Sequence, residues 1–529
     1  MIVRVINHVS TSSHKDEEYS ADIVATHLTH GESMLLPYRG GINAASLLAI
    51  GNDSVTTIKY GQDVSAGTKL THFWRSDGFN AFANYRYQVS PRYNTARFPF
   101  ANQRHGRWIV SLSESQTCGM PMTSYSYTFS NPVLRADGLG FVGYETVSVK
   151  DNRRNKTVVK NFDTGNFGLL QSISSPQGSS KYKYNVTTNS QKHTIVTLAS
   201  EEKQNALTGN TTKTAYLYDE RGNATEISTE YSDKLKKQVK TAYLNDISGH
   251  YVSLPVKQEE VSINGNSTVS NAMECAYDEV LHKTEIKSYK NKELFQTVRY
   301  RYEDNLPVEK TTRLFNSKNV TTEGWGYDEY GRLVSCTDKY GHKTSYEYMW
   351  FEKPYIVKDY KNRGTDYKFD MVGNIIGTIR PDSTSETVDY QYSDEYAGAV
   401  YKKTTTNTGK PTVVEYYDAM HRIVRKGVQD FDGQYLNTDY NYDDNGRLVS
   451  VTLPCKTNTT LKKEYAYDEY DRITESTDPS GGEMLYFIYD GNNRTVVKNG
   501  VATEETYDEV GNLVSSDADN VSTGAVVYN

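Results

Sequence analysis

Aromatic and apolar residues in this chain fall on alternate positions over short stretches, and Asp, Asn and Gly interrupt the stretches. Tyr216 and Tyr218, Trp325 and Tyr327, Tyr440 and Tyr442, and Tyr465 and Tyr467 each stand two residues apart, a spacing that puts both rings on one face of a strand. No stretch sustains the spacing of an amphipathic helix. The pattern therefore predicts strands joined by tight turns, an all-β chain.

The strands repeat. AYLYDERGNATEIS, WGYDEYGRLVSCTD, YNYDDNGRLVSVTL, YAYDEYDRITESTD and TYDEVGNLVSSDAD align without gaps on a Tyr-Asp pair. Tyr-Asp or Phe-Asp recurs at Tyr218, Tyr277, Tyr327, Phe369, Tyr417, Tyr442, Tyr467, Tyr489 and Tyr507, and weaker copies stand at Tyr184, Tyr243, Tyr302, Tyr348, Tyr392 and Tyr528. The period, roughly 25 residues, marks a repeat architecture from about residue 180 onward.

After the anchor comes Asp-x-x-Gly, ending at Gly222, Gly331, Gly373, Gly446 and Gly511. Asp at the first corner and Gly at the fourth suit a type I turn followed by a residue of positive φ. Asp471, His421 and Asn493 replace the glycine with types that tolerate that region. Leu281 does not belong to those types, so its turn is expected to differ. Arg or Asn and then Leu or Ile open a Thr/Ser/Val-rich return strand, as at Arg332 and Leu333.

Fifteen such hairpins amount to roughly 30 strands and a sheet about 140 Å wide, too wide to remain flat. Twist must curl it into a long spiralling antiparallel β-sheet, a β-shell or solenoid-like wall. The expected organisation is a strand-rich region over 1–135, a lead-in segment over 136–180, and one continuous repeat sheet over 181–529.

Composition gives the repeat its chemistry. The 529 residues include 44 Tyr and only 15 Phe. A wall one sheet thick and wet on one side favours an amphipathic ring, whose hydroxyl can find a polar partner. A net charge of -7 with no basic stripe argues against a nucleic-acid partner. The longest apolar run, 44–50, is far too short for a membrane-spanning helix. The N-terminus is interrupted by Arg4, Asn7 and His8 and lacks the apolar core of a signal peptide. Cys118, Cys275, Cys336 and Cys455 form no C-x-x-C pair, which points to small buried side chains rather than zinc ligands.

No catalytic constellation stands out. Gly138, Gly140 and Gly143 match G-x-G-x-x-G, yet YETVSV after them alternates like a strand instead of opening the helix that a dinucleotide site needs. His27, His30, His72 and His105 are too loosely spaced for a metal site. Asp443 and Asp444 come nearest to a calcium loop, but turn capping accounts for them. Asn-x-Ser/Thr triplets at Asn155, Asn223 and Asn319 reflect a chain rich in Asn and Thr. The expectation is no enzyme, no cofactor and no metal.

The Tyr-Asp-x-x-Gly-Arg-Leu unit, as in YDEYGRLVSCTDKYGHKTSYEY over 327–348, resembles the YD repeat of the Rhs family, which includes bacterial Rhs toxins, insecticidal toxin-complex subunits, wall-associated proteins and teneurins. GLGFVGYETVSV and the stretch up to Tyr184 resemble the lead-in of the toxin-complex shell subunits. The resemblance implies a spiralling sheet around a cavity, with toxin or effector cargo or the remainder of an Rhs shell as partner, in a secreted or cell-surface system. The family's core segment and variable toxin are not recognisable here, so no catalytic aspartate is transferred, and Asp478 reads as a turn residue. The leading expectation is a structural shell or scaffold. The alternative is a cell-surface module binding glycans or a partner cell through aromatic-rich repeats.

Overall fold

The computed structural model describes residues 3–8, 20–26, 33–38, 46–51, 54–60, 70–76, 81–89, 91, 97–101, 108–116, 120–188, 193–232, 234–246, 251–315, 317–349, 352–371, 373–457, 459, 461–479, 484–518 and 521–523, with backbone only before residue 83 and at 108, 246, 251–252 and 521–523. The described residues hold 42 strands and no helix, so the alternating pattern reads through as strand. No helix among them is long and apolar enough to cross a membrane. Cys118, His27, His30 and Tyr528 lie outside the described residues or their described side chains.

Val3–His8, Ser20–Thr26 and Ser33–Tyr38 form a small antiparallel sheet. From Ser46 to Thr523 the strands form one long antiparallel ribbon in which each pairs with the next along the chain. The exception is the two-residue strand Phe100–Ala101, which is bypassed and adds instead to the far end of Thr123–Arg135. Within Tyr435–Tyr442 the first half pairs backward and the second half forward, and Lys462–Tyr467 does the same, which staggers the ribbon there. Among the described residues no pairing joins the first ribbon strand to the last, so this is a curled sheet and not a closed barrel.

Antiparallel hairpins alternate between the ribbon's two edges. All the Tyr-Asp turns lie on one edge, because each follows a strand running in the same direction. The wall is one layer thick, and among the described residues few side chains are buried: Val133, Val298 and Val424 among the larger apolar ones, with Pro132 and Asp418 the most completely enclosed.

The twisted ribbon comes round onto itself. Hairpins on the edge away from the Tyr-Asp turns meet Tyr-Asp turns about 300 residues later, as in Met120 with Arg422, Arg153 with Asn445, and Asn210 with Asn492. Each of these contacts spans 23 strands. At about 4.8 Å per strand that turn is roughly 110 Å around and about 35 Å across. The curling expected from accumulated twist thus has a defined pitch.

Candidate functional site

The repeat turn is built the same way in copy after copy. In the unit at Asp328 the amide of Gly331 donates to the Asp328 carbonyl at 3.0 Å, and the Asp328 amide donates to the Arg332 carbonyl at 3.0 Å. The Asp328 carboxylate accepts from the Tyr330 amide at 3.0 Å and the Arg332 amide at 2.9 Å. Gly222, Gly331, Gly373, Gly446 and Gly511 all have φ between 76° and 87°, which glycine adopts without strain.

Two expectations about these turns need correction. Leu281 makes the same turn as its neighbours, with φ 71° and its amide 3.1 Å from the Asp278 carbonyl, because the capping bonds outweigh the cost of a side chain in the left-handed region. Asn493 does not occupy the glycine position. The hairpin there is shorter, Asp490 pairs directly with Asn493, and Gly491 supplies the positive φ of 57°.

The anchor ring has a definite destination. The hydroxyls of Tyr218, Tyr277, Tyr327, Tyr442, Tyr467 and Tyr489 donate to the carbonyls of Leu198, Pro255, Pro307, Ile423, Leu448 and Ile473 at 2.7–3.0 Å. Tyr243, Tyr302 and Tyr348 do the same toward Ala224, Lys283 and Leu333. In the most regular copies the acceptor is the first residue of the preceding unit's return strand. At most anchors the register shifts, as where Gly326 faces Ser335 but Tyr327 faces Leu333, so a β-bulge accompanies these turns, while the shorter hairpin at Tyr489 has none. Tyr417 and Tyr507 instead donate to Glu415 and Glu505, and Phe369 has no hydroxyl to give. Burial pushes the Tyr417 phenol well above the usual range, helped by Glu415.

The arginine after the turn joins one unit to the next. Arg332, Arg422, Arg447 and Arg472 donate from Nε to their own turn aspartate at 2.7–2.8 Å. Their guanidinium groups lie 4.2–4.8 Å from the ring centres of the following anchors, Tyr348, Tyr442, Tyr467 and Tyr489. His282 stacks on Tyr302 in the same place at 4.4 Å. The sequence suggested the tyrosines and the turns, but not this bridge, although Arg in the fifth position was its signal. It also passed over turns on the opposite edge at Asp338 and Asp359, which carry the aspartate cap without a tyrosine before it.

Nothing convergent of a catalytic kind appears among the described residues. Asp443 spends its carboxylate on Arg447 and on the amides of Asn445 and Arg447. No group of three or more metal-ligating side chains occurs there. Gly140 begins a strand, Gly140–Asp151, rather than a helix. A hollow of about 770 Å³ is crossed by a row of paired charges, Lys181, Glu202, Lys213, Glu230 and Lys236, facing one another strand by strand. Opposite charges at cross-strand positions neutralise each other, as in the 2.6 Å pair of Lys236 with Glu230, and leave a solvated face rather than an anion site.

A one-layer antiparallel ribbon that repeats a capped Tyr-Asp turn and coils upon itself defines a repeat-built β-wall. The RHS Repeat family matches residues 442–483, so the unit there is an Rhs repeat, and the chain as a whole is consistent with an Rhs/YD-repeat protein. The fold is shared with the crystal structures of TcdB2-TccC3-TEV (TM-score 0.63, 8% identity), TcdB2-TccC3 (0.61, 9%) and TcdB2-TccC3 without its hypervariable C-terminal region (0.62, 9%). Each covers 94% of this chain, while the chain spans 41%, 39% and 40% of theirs respectively. No curated protein matches in sequence.

Proposed function

We propose that this chain is a non-enzymatic wall segment of an Rhs-type shell or surface scaffold that encloses or presents a toxin or effector, at or outside the surface of a cell. The observation that carries this reading is the contact made after 23 strands, which brings a single sheet round a space about 35 Å across. In it, the anchor tyrosines and turn glycines are structural, tying each hairpin to the one before. A reporter polypeptide fused after Asn529 tests enclosure: it is expected to resist added protease while the wall is folded. Digestion at the rate of the free reporter would rule enclosure out.

One feature favours a second reading, recognition of a glycan or cell-surface partner. At adjacent hairpin tips His342 stacks on Tyr360, ring centres 4.2 Å apart, and meets Tyr340 in a tilted contact at 6.0 Å, and both tyrosines are exposed. Exposed rings in a row can stack on sugar faces. A glycan array on which the chain binds a sugar, and the Y340A/Y360A variant does not, would support it.

A further inference from the structure

The Tyr-Asp turns are near copies, so departures from the pattern that also make distant contacts carry information. Two neighbouring turns depart where the ribbon meets itself. In 468–471 the glycine position holds Asp471 at φ 67°, where an L side chain is disfavoured. Its carboxylate accepts from Arg154, 317 residues away, at 3.4 Å and from Arg447 at 3.0 Å. In 443–446 the third position holds Asn445, whose side-chain oxygen accepts from Arg153 at 2.9 Å and Arg154 at 3.2 Å, and whose carbonyl takes Arg154 at 3.4 Å. Lys156 donates to the Glu469 carbonyl with its ammonium 5.1 Å from the Tyr470 ring centre. The hairpin presenting these three cations is itself set by Asp151, which accepts from the amides of Arg153 and Arg154 at 3.0 Å.

We propose that hairpin 151–156 is a recognition element that reads the turns at 443–446 and 468–471 and so fixes which repeats meet when the ribbon closes. A slip back by one repeat would offer Met420 and Gly446 in place of Asn445 and Asp471, and a slip forward would place Tyr470 where Asn445 stands. None of these supplies a side-chain carbonyl or carboxylate, so the arginines would lose their side-chain acceptors and the wrong registers are disfavoured. The turn side also carries Asp443, Asp444, Asp468 and Glu469 against Arg447 and Arg472, so it attracts the cationic hairpin at low salt. Asp471 is on this account kept for its carboxylate despite its backbone cost. The inference rests on the fold and holds whatever the wall encloses.

Trypsin cleavage after Arg153 and Arg154 in the full chain reads whether this seam is closed. N445A and D471G are each expected to raise that cleavage about fivefold with an unchanged far-UV spectrum. The wild type should show a similar rise between about 50 mM and 1 M salt. D471G separates recognition from turn formation, because glycine suits the backbone there: its melting midpoint should hold or rise while the seam loosens. Cleavage unchanged in both variants would overturn the proposal, and so would a D471G chain that melts higher with the seam as protected as before.

Discussion

The phenol of Tyr467 donates to the carbonyl of Leu448 at 2.7 Å, one repeat unit back along the chain. Tyr442 does the same to Ile423 at 2.9 Å. Each anchor therefore fastens its strand to the residue where the previous return strand begins, next to a bulge that interrupts the regular ladder there. Phenylalanine would fill the same space and leave that carbonyl without this donor.

Replacing either tyrosine by phenylalanine should cost about 1 kcal/mol, the net value of one partly buried hydrogen bond. Urea unfolding of Y467F and Y442F measures it. Midpoints equal to wild type in both would mean that the ring alone holds the strand.

Leu281 and Gly446 occupy the same turn position, with φ 71° and 82°. L281G should stabilise the chain by about 1 kcal/mol by removing a side chain from the left-handed region. G446V should lose about 1–3 kcal/mol, since a β-carbon there meets strain and stands 3.2 Å from an Arg422 guanidinium nitrogen. Opposite shifts of the melting midpoint are the signature, and shifts of the same sign would reject the turn assignment.

The turn aspartates make stability depend on acid. The side-chain amide of Asn223 beside Asp219 holds its carboxyl down at about 2, and the amides of Asn223 and Arg221 and the side chain of Asn245 add to this against a burial effect that raises it. Burial also pushes Asp443 and Asp468 upward, but the following arginines and the turn amides outweigh it and leave both lowered. A folded value below the unfolded value of about 3.9 gives stability that is complete above roughly pH 5 and drains away as pH falls toward 2. Melting midpoints should therefore drop over that window, and D219N should flatten the profile. An Asp219→Asn chain with the wild-type slope would count against this carboxylate as a source.

Much of this was legible in the sequence because the repeat is written in local chemistry. Asp at the first corner and Gly at the fourth report on hydrogen bonds made within five residues, and the tyrosine pairs report on one strand. What stayed hidden acts across strands or across a whole turn of the ribbon. Arg447 could be seen to recur but not to lie on Tyr467, and hairpin 151–156 gave no sign that it meets residues 291 or more positions later. Leu281 misled because propensity at one position was weighed without the four capping bonds around it.

Besides its bond to Asp471, Arg447 joins its own turn to the next unit: Nε donates to Asp443 at 2.7 Å, the guanidinium lies 4.7 Å from the Tyr467 ring centre, and Nη1 donates to the Asp468 carbonyl at 3.0 Å. Lysine keeps the charge but loses the planar fork that lets one group serve the turn behind it and the ring ahead. R447K should accordingly lose about 1 kcal/mol, and R447A more, because Asp443 then keeps its amide donors without its cation. The part owed to the ring is separable. In a double-mutant cycle with Y467L the coupling should be about 0.5–1 kcal/mol, the range of a cation over an aromatic face near the surface. The same cycle between Arg447 and Tyr489, two units ahead, should give a coupling near zero. Equal couplings in the two cycles would mean that the arginine acts through general stability and not by joining each repeat to the next.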